Sequence, residues 1–365
     1  MRYTILGNTG LRVSVLSFGT MRLPISGANP DFSRSTALIR HAVNQGINFF
    51  DVGTFYCHDH CEEAFGLATR DLPHDRFIIS GKNSSHQTGS PDWLGQLRNS
   101  LSQFGRDSFD IYFIHYLTLQ HWESHFLQKG IIDQVLRAKA QGLYRHLGFS
   151  SHDTPENVYR LLDTGMFDAV ILPFNLLQRE HSLTMSYARQ KGIGVIVMNP
   201  LAGGVLVDAA IYEEVCQTAG WRNLAENALS FVLSHPSVDT VLSGMTSESM
   251  IDENVRTVHN RRLTAPQMAQ LESSLSLEKS KLFIPCTSCN YCMPCVQGID
   301  IPEIIRIWNK DAVLTSRKIS SRDYADLPVT ADCCIECNDC VSRCPRGVNI
   351  PALMNDASRL FMTGL

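Results

Sequence analysis

The sequence predicts an α/β barrel of eight strands and eight helices, followed by a smaller and mostly helical domain. Eight short runs rich in β-branched and aromatic residues alternate with helical patterns over the first 280 residues. Nine of the twelve cysteines fall after that point. We therefore predict a barrel at residues 1–280 and a second domain at residues 281–365, with the junction at residues 279–283.

The barrel strands follow a hairpin that is expected around the turn at residues 7–10. Helices are predicted at 33–45, 62–69, 93–104, 131–141 and 155–164, and four of these five are followed by a glycine, the residue that commonly ends helices. Eight parallel strands with intervening helices close into a (β/α)8 TIM barrel. The strands are predicted at residues 15–19, 48–51, 76–80, 110–115, 144–150, 169–173, 194–198 and 240–243.

Two runs of cysteines dominate the second domain. In each run three cysteines are spaced at i, i+3 and i+6 and a fourth follows three or four residues later. Three thiolates at that spacing wrap one face of a cubane cluster, and in two-cluster ferredoxins the fourth cysteine serves the other cluster. The pattern predicts two [4Fe-4S] clusters. The first would be held by Cys286, Cys289, Cys292 and Cys344, and the second by Cys334, Cys337, Cys340 and Cys295.

Zinc is the alternative ligand, because paired C-x2-C units also form zinc sites. The runs here are serial, and Cys344 precedes Pro345 as in ferredoxins, although Val296 stands where a second proline is expected. Disulfides are disfavoured because the chain starts without the apolar segment of a signal peptide. Reduced thiols and a cytoplasmic location are expected, with Cys333 left over as a non-ligand.

Composition limits the partners. The chain has a formal charge of −4, with 44% hydrophobic and 19% charged residues, which is typical of a soluble protein with ample material for a core. This balance makes nucleic acid an unexpected partner. No apolar run approaches the roughly 18 residues needed to span a bilayer, so no membrane partner is expected.

Polar residues stand where three consecutive predicted strands end. Asp51 is the last residue of one predicted strand, and Tyr56 follows it shortly. Lys82 lies just after the next predicted strand, and His115 is the last residue of the strand after that. Catalytic groups of such barrels lie at the carboxyl ends of the strands. A carboxylate, a phenol, an ammonium and an imidazole together suit proton delivery to a carbonyl oxygen while hydride attacks the carbon.

These residues lie within a longer series of motifs. The series includes LGNTG at residues 6–10, FGT at 18–20, FD at 50–51, GK at 81–82, IH at 114–115, LGFS at 147–150, FNLL at 174–177, NPL at 199–201, SGM at 243–245 and the two cysteine runs. In order and spacing the chain resembles the aldo-keto reductases, and specifically members that carry a C-terminal ferredoxin-like domain.

The resemblance implies reduction of a small carbonyl compound, such as an aldehyde, a ketone or a sugar-like substrate, by NAD(P)H. A phenol has a pKa near 10 and is a poor acid at pH 7, so Tyr56 as general acid requires the nearby cation Lys82, which Asp51 orients. His115 would orient the substrate oxygen. The resemblance also implies a set of cofactor-binding residues: Ser150, Ser151, Asn175, Met198, Pro200, Leu201, Gly204, Gly244, Thr246, Glu253 and Asn254.

The cofactor region departs from the family pattern. Ile171 occupies the position of a glutamine that binds the nicotinamide carboxamide, and Met198 replaces an aromatic residue that stacks on the ring. Residues 244–249 contain no lysine or arginine for an adenosine 2′-phosphate. The sequence therefore predicts loose nucleotide binding with little preference for NADPH.

An alternative function stays open at this stage. The chain could be an electron-transfer or redox-sensing protein whose barrel binds a ligand or a protein partner without nicotinamide turnover. Hydride carries two electrons and each cluster carries one, and no flavin motif that would connect them is evident. The loop at residues 57–63, CHDHCEE, offers possible metal ligands beside Tyr56, but a polar loop that enters a helix is the favoured interpretation.

Overall fold

A computed structural model describes residues 1–25, 31–57, 59–207, 224–260, 263–274, 283–314, 317–344 and 346–362. The chain divides into two compact units. The first consists of Met1–Phe174, Glu180–Met198 and Val232–Arg262, and the second of Asn175–Arg179, Asn199–Phe231 and Leu263–Leu365. The second unit thus includes two segments that directly follow barrel strands. Of the predicted junction at 279–283, only Phe283 lies among the described residues.

The first unit is the predicted barrel. A hairpin of β1 (Tyr3–Ile5) and β2 (Arg12–Ser14) precedes eight parallel strands. These strands are β3 (Leu16–Gly19), β4 (Phe50–Asp51), β5 (Ser80–Asn83), β6 (Phe109–Ile114), β7 (Tyr144–Ser150), β8 (Ala169–Pro173), β9 (Gly194–Met198) and β10 (Thr240–Ser243). Their order is β4-β3-β10-β9-β8-β7-β6-β5, and a single bridge between Phe49 and Ile78 joins the two outer strands. The barrel is therefore nearly closed, which confirms the predicted fold class.

Helices follow the strands as the glycine-terminated patterns predict. In chain order they are Ser33–Asn44, Cys61–Thr69, Trp93–Phe104, Leu119–His121 continuing as a π-helix over Trp122–Leu127, Ile132–Ala140, Pro155–Asp163, Ser182–Gln190, Leu224–Ser234, Glu248–Asn260 and Ala265–Ser274. Gly105 takes a left-handed φ of 63° at the end of its helix, a conformation that glycine adopts without the steric penalty of a side chain.

The third barrel strand was predicted wrongly, at residues 76–80. In the structure His74–Arg76 form a 3-10 turn and the strand runs over Ser80–Asn83. The apolar residues Phe77, Ile78 and Ile79 are buried, but only Ile78 makes a strand-type bridge. The hydrophobic pattern correctly predicted which residues of this stretch are buried. The hydrogen-bonded strand, however, begins after these residues and has polar residues at its carboxyl end.

Apolar side chains fill the barrel interior. One buried cluster joins Phe49, Phe113, Ile171 and Leu242 from the strands with Leu6 from the hairpin segment. The interior is thus a packed core rather than a channel, as is usual for eight-stranded barrels. The polar groups that chemistry needs are confined to the strand ends.

The C-terminal part of the second unit is mostly helical among its described residues, as predicted. Its helices are Ile301–Leu314, Arg317–Ala325, Asp339–Arg343 and Ile350–Met362. They enclose an apolar cluster that includes Ile304, Leu353 and Phe361. Two buried side chains anchor the cysteine runs to this core. Asn309 bonds both backbone groups of Ile284, and Tyr324 accepts a hydrogen bond from the Ala331 N–H.

Within the described part of the chain, no helix combines the length and apolar character required to cross a membrane.

Candidate functional site

The four predicted catalytic residues meet at the carboxyl ends of β4, β5 and β6. Asp51 is the last residue of β4, Lys82 lies in β5, and His115 directly follows β6 and donates its backbone N–H to the Asn83 carbonyl at 2.9 Å. Tyr56 lies in the turn after β4. All four side chains belong to the first unit and are buried. The structure therefore brings together residues that lie up to 64 positions apart in the sequence, from Asp51 to His115.

Lys82 is the centre of the group. Its Nζ lies 2.6 Å from Asp51 Oδ2 and 2.6 Å from Tyr56 Oη. The Tyr56 hydroxyl is 3.4 Å from the same carboxylate oxygen, and the Tyr56 and His115 rings meet edge to face at 5.6 Å. Charged hydrogen bonds of this length are among the strongest in proteins. The ammonium is thus held against the phenol oxygen.

The loop that carries Tyr56 has an unusual backbone. Phe55, Cys57 and Asp59 all take positive φ values of 53–69°, which is uncommon for residues other than glycine. Asp59 Oδ1 accepts the Phe55 N–H at 3.0 Å, and the Cys57 and Cys61 thiols both reach Thr20. These local bonds hold the turn in the strained form that directs Tyr56 inward.

Several possible metal ligands of this loop make hydrogen bonds within the barrel. Glu62 is buried and accepts a hydrogen bond from Ser100 at 2.9 Å, and burial raises the pKa of its carboxyl to about 7. Among the described residues, which exclude His58, no three or more His, Cys, Asp or Glu side chains converge closely enough to hold a single metal ion. The loop supports the fold around Tyr56.

A glycine makes room for Lys82. A Cβ atom on Gly53 would lie 3.2 Å from Lys82 Cβ and 3.3 Å from its Cδ. Such contacts are tighter than most real Cβ contacts, so a larger residue would push the lysine stem aside. The absence of a side chain at Gly53 therefore allows the Lys82 ammonium to occupy its position in the site.

His115 is held neutral. Burial, followed by the charge of Lys82 and by His86 and His152, keeps the pKa of His115 well below its usual range. Its Nδ1 lies 3.0 Å from Ser84 Oγ, which in turn lies 3.0 Å from Thr54 Oγ1. The sequence analysis did not identify Ser84 and Thr54, since neither carries a motif signal.

A group of aromatic and imidazole rings adjoins this site. His86 lies 5.0 Å from His121 and 6.2 Å from His125 between ring centroids, and Tyr116 lies 5.7 Å from His152. Burial lowers the pKa of His86 to about 3. Burial also lowers the pKa of His121 and of His125, so these three imidazoles provide hydrogen-bonding groups without net charge at physiological pH.

Several predicted nucleotide-binding residues of the first unit lie at neighbouring strand ends. Ser150 closes β7, where it pairs with Ile171 of β8, and Met198 closes β9 and packs on the same interior cluster as Ile171. Ser150 Oγ accepts the Tyr116 N–H at 2.8 Å, while the Ser151 hydroxyl donates to Leu117 O at 2.7 Å. Ser150 can still donate its hydroxyl hydrogen, whereas Ser151 is engaged in holding the adjacent loop.

Residues 244–249 contain no lysine or arginine of their own, but two arginines from elsewhere in the first unit approach this stretch. Arg34, from the helix Ser33–Asn44, donates from Nη2 to the Thr246 carbonyl at 3.3 Å. Arg22 approaches Gly244, where a Cβ would lie 3.4 Å from Arg22 Cδ. Both arginines come from distant parts of the sequence, so a search of the local stretch missed them. Glu253 and Asn254 lie on the following helix, and Asn254 Nδ2 donates to Ser243 Oγ at 3.1 Å.

The remaining predicted nucleotide residues belong to the second unit. Asn175 donates to Asn199 O at 2.9 Å, and Asn199 Oδ1 accepts the Gly203 N–H at 2.7 Å. Asn199, Gly203 and Gly204 all have positive φ values. These bonds shape a tight loop over residues 199–204, which contains the predicted Pro200, Leu201 and Gly204.

The cysteine thiols form the two groups that their spacing predicts. Burial, with Cys289, Cys286 and Cys344 as neighbours, raises the pKa of the Cys292 thiol to about 12. In the other group, burial and then Cys337, Cys334 and Cys295 raise the pKa of Cys340. In each group the distant fourth cysteine comes from the opposite run. A metal cluster binds thiolates, so it would displace protons that these thiols otherwise hold tightly.

The second group lines a cavity. Its walls combine the thiols of Cys295, Cys334, Cys337 and Cys340 with apolar side chains that include Ile301, Ile350 and Met354. A largely apolar enclosure with four sulfur atoms matches the surroundings in which iron–sulfur clusters are held. The residues present therefore fit such a cluster.

The two runs share one backbone pattern. Ser288 and Asn290 have φ values of 51° and 64°, and Glu336 and Asn338, at the same positions after Cys334, have 55° and 64°. Left-handed residues on both sides of the middle cysteine turn the chain around a common centre. The repeat indicates that both runs wrap a group of the same shape.

Comparison with known proteins agrees with this geometry. The family model of the aldo/keto reductases matches residues 15–276. The chain belongs to the aldo/keto reductase family. A model of a 4Fe-4S dicluster domain matches residues 285–349, and the protein is therefore an oxidoreductase with an appended iron–sulfur domain.

The relatives cover most of the barrel. L-galactose dehydrogenase from Arabidopsis thaliana is 26% identical over 69% of this chain and 86% of its own. L-glyceraldehyde 3-phosphate reductase from Escherichia coli K12 is 23% identical over 76% and 93%. Among solved structures, the holo form of an aldo-keto reductase from Bacillus halodurans superposes with a TM-score of 0.66, at 23% identity over 75% of this chain and 96% of its own. That last likeness supports the fold.

Ser84 provides a test of how His115 is oriented. Because the imidazole is neutral, a hydrogen bond donated by Ser84 to Nδ1 places the ring proton on Nε2. In Ser84→Ala that preference is lost, and we expect about a fivefold fall in kcat/KM, the equivalent of one ordinary hydrogen bond. Ser84→Thr should restore it. Nitrogen NMR of labelled histidine should show a mixed tautomer in the alanine variant alone.

Ser85→Ala is the matched control, since Ser85 is equally buried and its hydroxyl has no hydrogen-bond partner among the described residues. Equal effects of the two alanine variants would contradict the assignment.

Proposed function

We propose that this protein reduces a small hydroxylated carbonyl compound with hydride from NAD(P)H, with Tyr56 as the general acid, and that it carries two [4Fe-4S] clusters. The buried contact of Lys82 Nζ with both Tyr56 Oη and Asp51 Oδ2, at 2.6 Å each, carries the catalytic part of the proposal. In this arrangement the ammonium of Lys82 makes it easier for the Tyr56 phenol to release its proton.

The proton transfer follows from the charges. The carbonyl oxygen gains negative charge as its carbon is reduced, and the Tyr56 hydroxyl donates its proton to that oxygen. The phenolate left behind is stabilised by the ammonium of Lys82 at hydrogen-bond distance. Asp51 holds the Lys82 ammonium in place beside the phenol through their 2.6 Å contact. Each member of the set has one role, and the proton is then regained from solvent.

His115 supplies orientation rather than acid. Because its pKa is depressed, the His115 imidazole carries no positive charge at physiological pH. Its neutral Nε2–H can therefore hydrogen-bond the substrate oxygen without competing with Tyr56 for the role of acid. The edge-to-face contact of the two rings keeps both donors on one side of the reacting oxygen.

The substrate class follows from the rings beside His115. Neutral imidazoles and the Tyr116 phenol can bind hydroxyl groups, and they offer no charge to attract an ion. Of two relatives by sequence, L-galactose dehydrogenase is named for a sugar and L-glyceraldehyde 3-phosphate reductase for a phosphorylated hydroxyaldehyde. A sugar-like aldehyde or ketone is the best match.

A bound nicotinamide nucleotide supplies the hydride. The first unit contributes Ser150 and Met198 to hold it, and Arg34 and Arg22 of the same unit stand near residues 244–249, the stretch predicted for the adenosine 2′-phosphate. The resemblance to the aldo-keto reductases also assigns residues of the 199–204 loop to nucleotide binding. These arginines favour NADPH, contrary to the preference that the local sequence suggested. Ile171, in the apolar interior, can hold the ring edge only by packing.

The clusters accept single electrons. Because hydride transfer moves an electron pair and no flavin motif is evident, we infer that the clusters stabilise the C-terminal region or communicate with a redox partner, rather than receive electrons directly from the nicotinamide.

Removing the acid or its activator tests the mechanism. Tyr56→Phe should lower the rate of carbonyl reduction by roughly 10² to 10⁴, the range for loss of a general acid. Lys82→Met should have an effect of similar size, because the phenolate then lacks its cation. Steady-state kinetics with anaerobic protein would measure both, and full activity of Tyr56→Phe would refute the assignment.

Lys82→Met also leaves the Asp51 carboxylate buried without its cation, at a cost to folding of about 3–5 kcal/mol. The double variant Asp51→Asn with Lys82→Met removes both charges and serves as the folding control. It should unfold less readily than Lys82→Met alone and remain inactive.

Metal analysis tests the clusters. Anaerobically purified protein should contain about eight irons and about eight acid-labile sulfides per chain. Cys292→Ser should retain about half of them, whereas Cys333→Ser should retain all, since Cys333 lies exposed beside the second run and outside both thiol groups. Zinc in place of iron, or a full complement in Cys292→Ser, would rule out the assignment.

Arg34 tests the nucleotide preference. Arg34→Ala should weaken NADPH binding about tenfold, the value of a hydrogen bond to a charged group, and leave NADH binding nearly unchanged. Arg40→Ala is the control, because Arg40 lies on the same helix but pairs with Asp71 at 2.9 Å. Calorimetry decides the matter, and equal losses for both nucleotides in Arg34→Ala would remove this role.

A further inference from the structure

Ser288 makes two hydrogen bonds that point in different directions. It lies between Cys286 and Cys289. Its backbone N–H donates to Cys286 Sγ at 3.4 Å, and its hydroxyl donates to the Gly203 carbonyl at 3.1 Å. Both partners belong to the second unit. One residue thus contacts a predicted cluster ligand and the loop that follows β9.

The close approach of these segments requires glycine at position 203. The residue has a φ of 68°, and an added Cβ would lie 2.9 Å from Ser288 Oγ and 3.0 Å from the Cys286 carbonyl oxygen. The Gly203 N–H is bound to Asn199 Oδ1 at 2.7 Å. Any shift of the 199–204 loop is therefore transmitted to the backbone of the first cysteine run.

Among the residues that the structure describes, the second cysteine run has no equivalent link. Glu336 occupies the position of Ser288 and has a similar φ of 55°. Its carboxylate accepts from Asn355 Nδ2 at 2.6 Å, within the C-terminal helices. The contact with the loop is thus a property of the first run and does not follow from the cluster-binding backbone.

We propose that Ser288 is a positioning residue that couples the redox state of the first cluster to the loop of residues 199–204. The inference rests on the proposed function, in which this loop helps to hold the nucleotide. When one electron enters the cluster, no bond of the chain breaks, and the added charge is shared by the sulfurs. Hydrogen bonds to those sulfurs are a main determinant of the cluster potential.

The coupling is reciprocal. A nucleotide that orders the loop moves Ser288 and changes its bond to Cys286, so it shifts the midpoint potential of the first cluster. By linkage, the oxidised and reduced proteins must then bind the nucleotide with different affinities. We expect about a threefold to tenfold difference, which corresponds to roughly 28–59 mV for a one-electron couple.

The first experiment needs no nucleotide. Redox titrations followed by electron paramagnetic resonance are compared for the anaerobic holoprotein, Gly203→Ala and Gly165→Ala. In Gly203→Ala the new methyl group meets the cysteine run, and one of the two potentials should change. Gly165, at the end of a barrel helix, has the same φ of 68°, but a Cβ there meets nothing within 4 Å. That variant should keep both potentials, and an unchanged Gly203→Ala would overturn the proposal.

The second experiment adds 2′-phospho-ADP-ribose, which carries no reducible nicotinamide. It should shift one potential in the natural protein and in Glu336→Gly, but much less in Ser288→Gly. Glycine suits the positive φ at both positions and retains the backbone N–H, so only the side-chain links differ. If the probe also failed to shift a cluster potential in Glu336→Gly, this result would contradict a role specific to Ser288.

Calorimetry with the same probe separates the two proposals. Binding without any shift of potential would refute the coupling and leave the reductase function intact. Absence of binding would count against the proposed nucleotide site, while the Gly203→Ala titration would still decide whether the loop and the first cluster are linked.

Discussion

The site depends on one buried ion pair, between Lys82 and Asp51. Withdrawing two charges from water costs several kcal/mol for each ion, and their attraction offsets this only when the geometry is good and the other hydrogen-bonding positions are used. Here the ammonium has a second partner in the Tyr56 hydroxyl. The pair also spans the seam of the barrel, because β4 and β5 are the outer strands of the sheet and one bridge joins them. Polar contacts there replace a regular ladder, which leaves room for side chains that perform chemistry.

The same cation has two effects on its neighbours. Together with burial it lowers the pKa of His115, and in the proposed mechanism it stabilises the phenolate that Tyr56 becomes. In that mechanism one charge would separate the two possible acids, because it helps the phenol to release a proton and prevents the imidazole from holding an extra one. The surrounding histidines reinforce the effect, because burial keeps His86 neutral as well. A site built in this way can bind an uncharged substrate and still stabilise the negative charge that develops on its oxygen.

Most of the fold and the grouping of Asp51, Tyr56, Lys82 and His115 could be predicted, because their signals are local. A strand end followed by a polar residue, or three cysteines at a fixed spacing, is visible in a short stretch of sequence. What could not be predicted came from tertiary contacts. Arg34 reaches Thr246 across 212 positions, Ser84 lies against His115, and Ser288 lies against Gly203. The third strand was misplaced for a related reason, since an apolar run reports burial and the strand itself is defined by hydrogen bonds to a neighbour.

The presence of single-electron clusters on a hydride-transfer enzyme does not require a route for electrons between them. A shared loop is sufficient for the two chemistries to affect one another, provided that its conformation changes the energy of both. In the proposed coupling the 199–204 loop meets that condition through backbone groups, because Asn199 holds Gly203 from one side and Ser288 holds it from the other. Its left-handed residues restrict the conformations of its backbone. Communication by linkage in this form would need no flavin and no direct electron transfer, and it would reconcile the one-electron and two-electron parts of the proposed function.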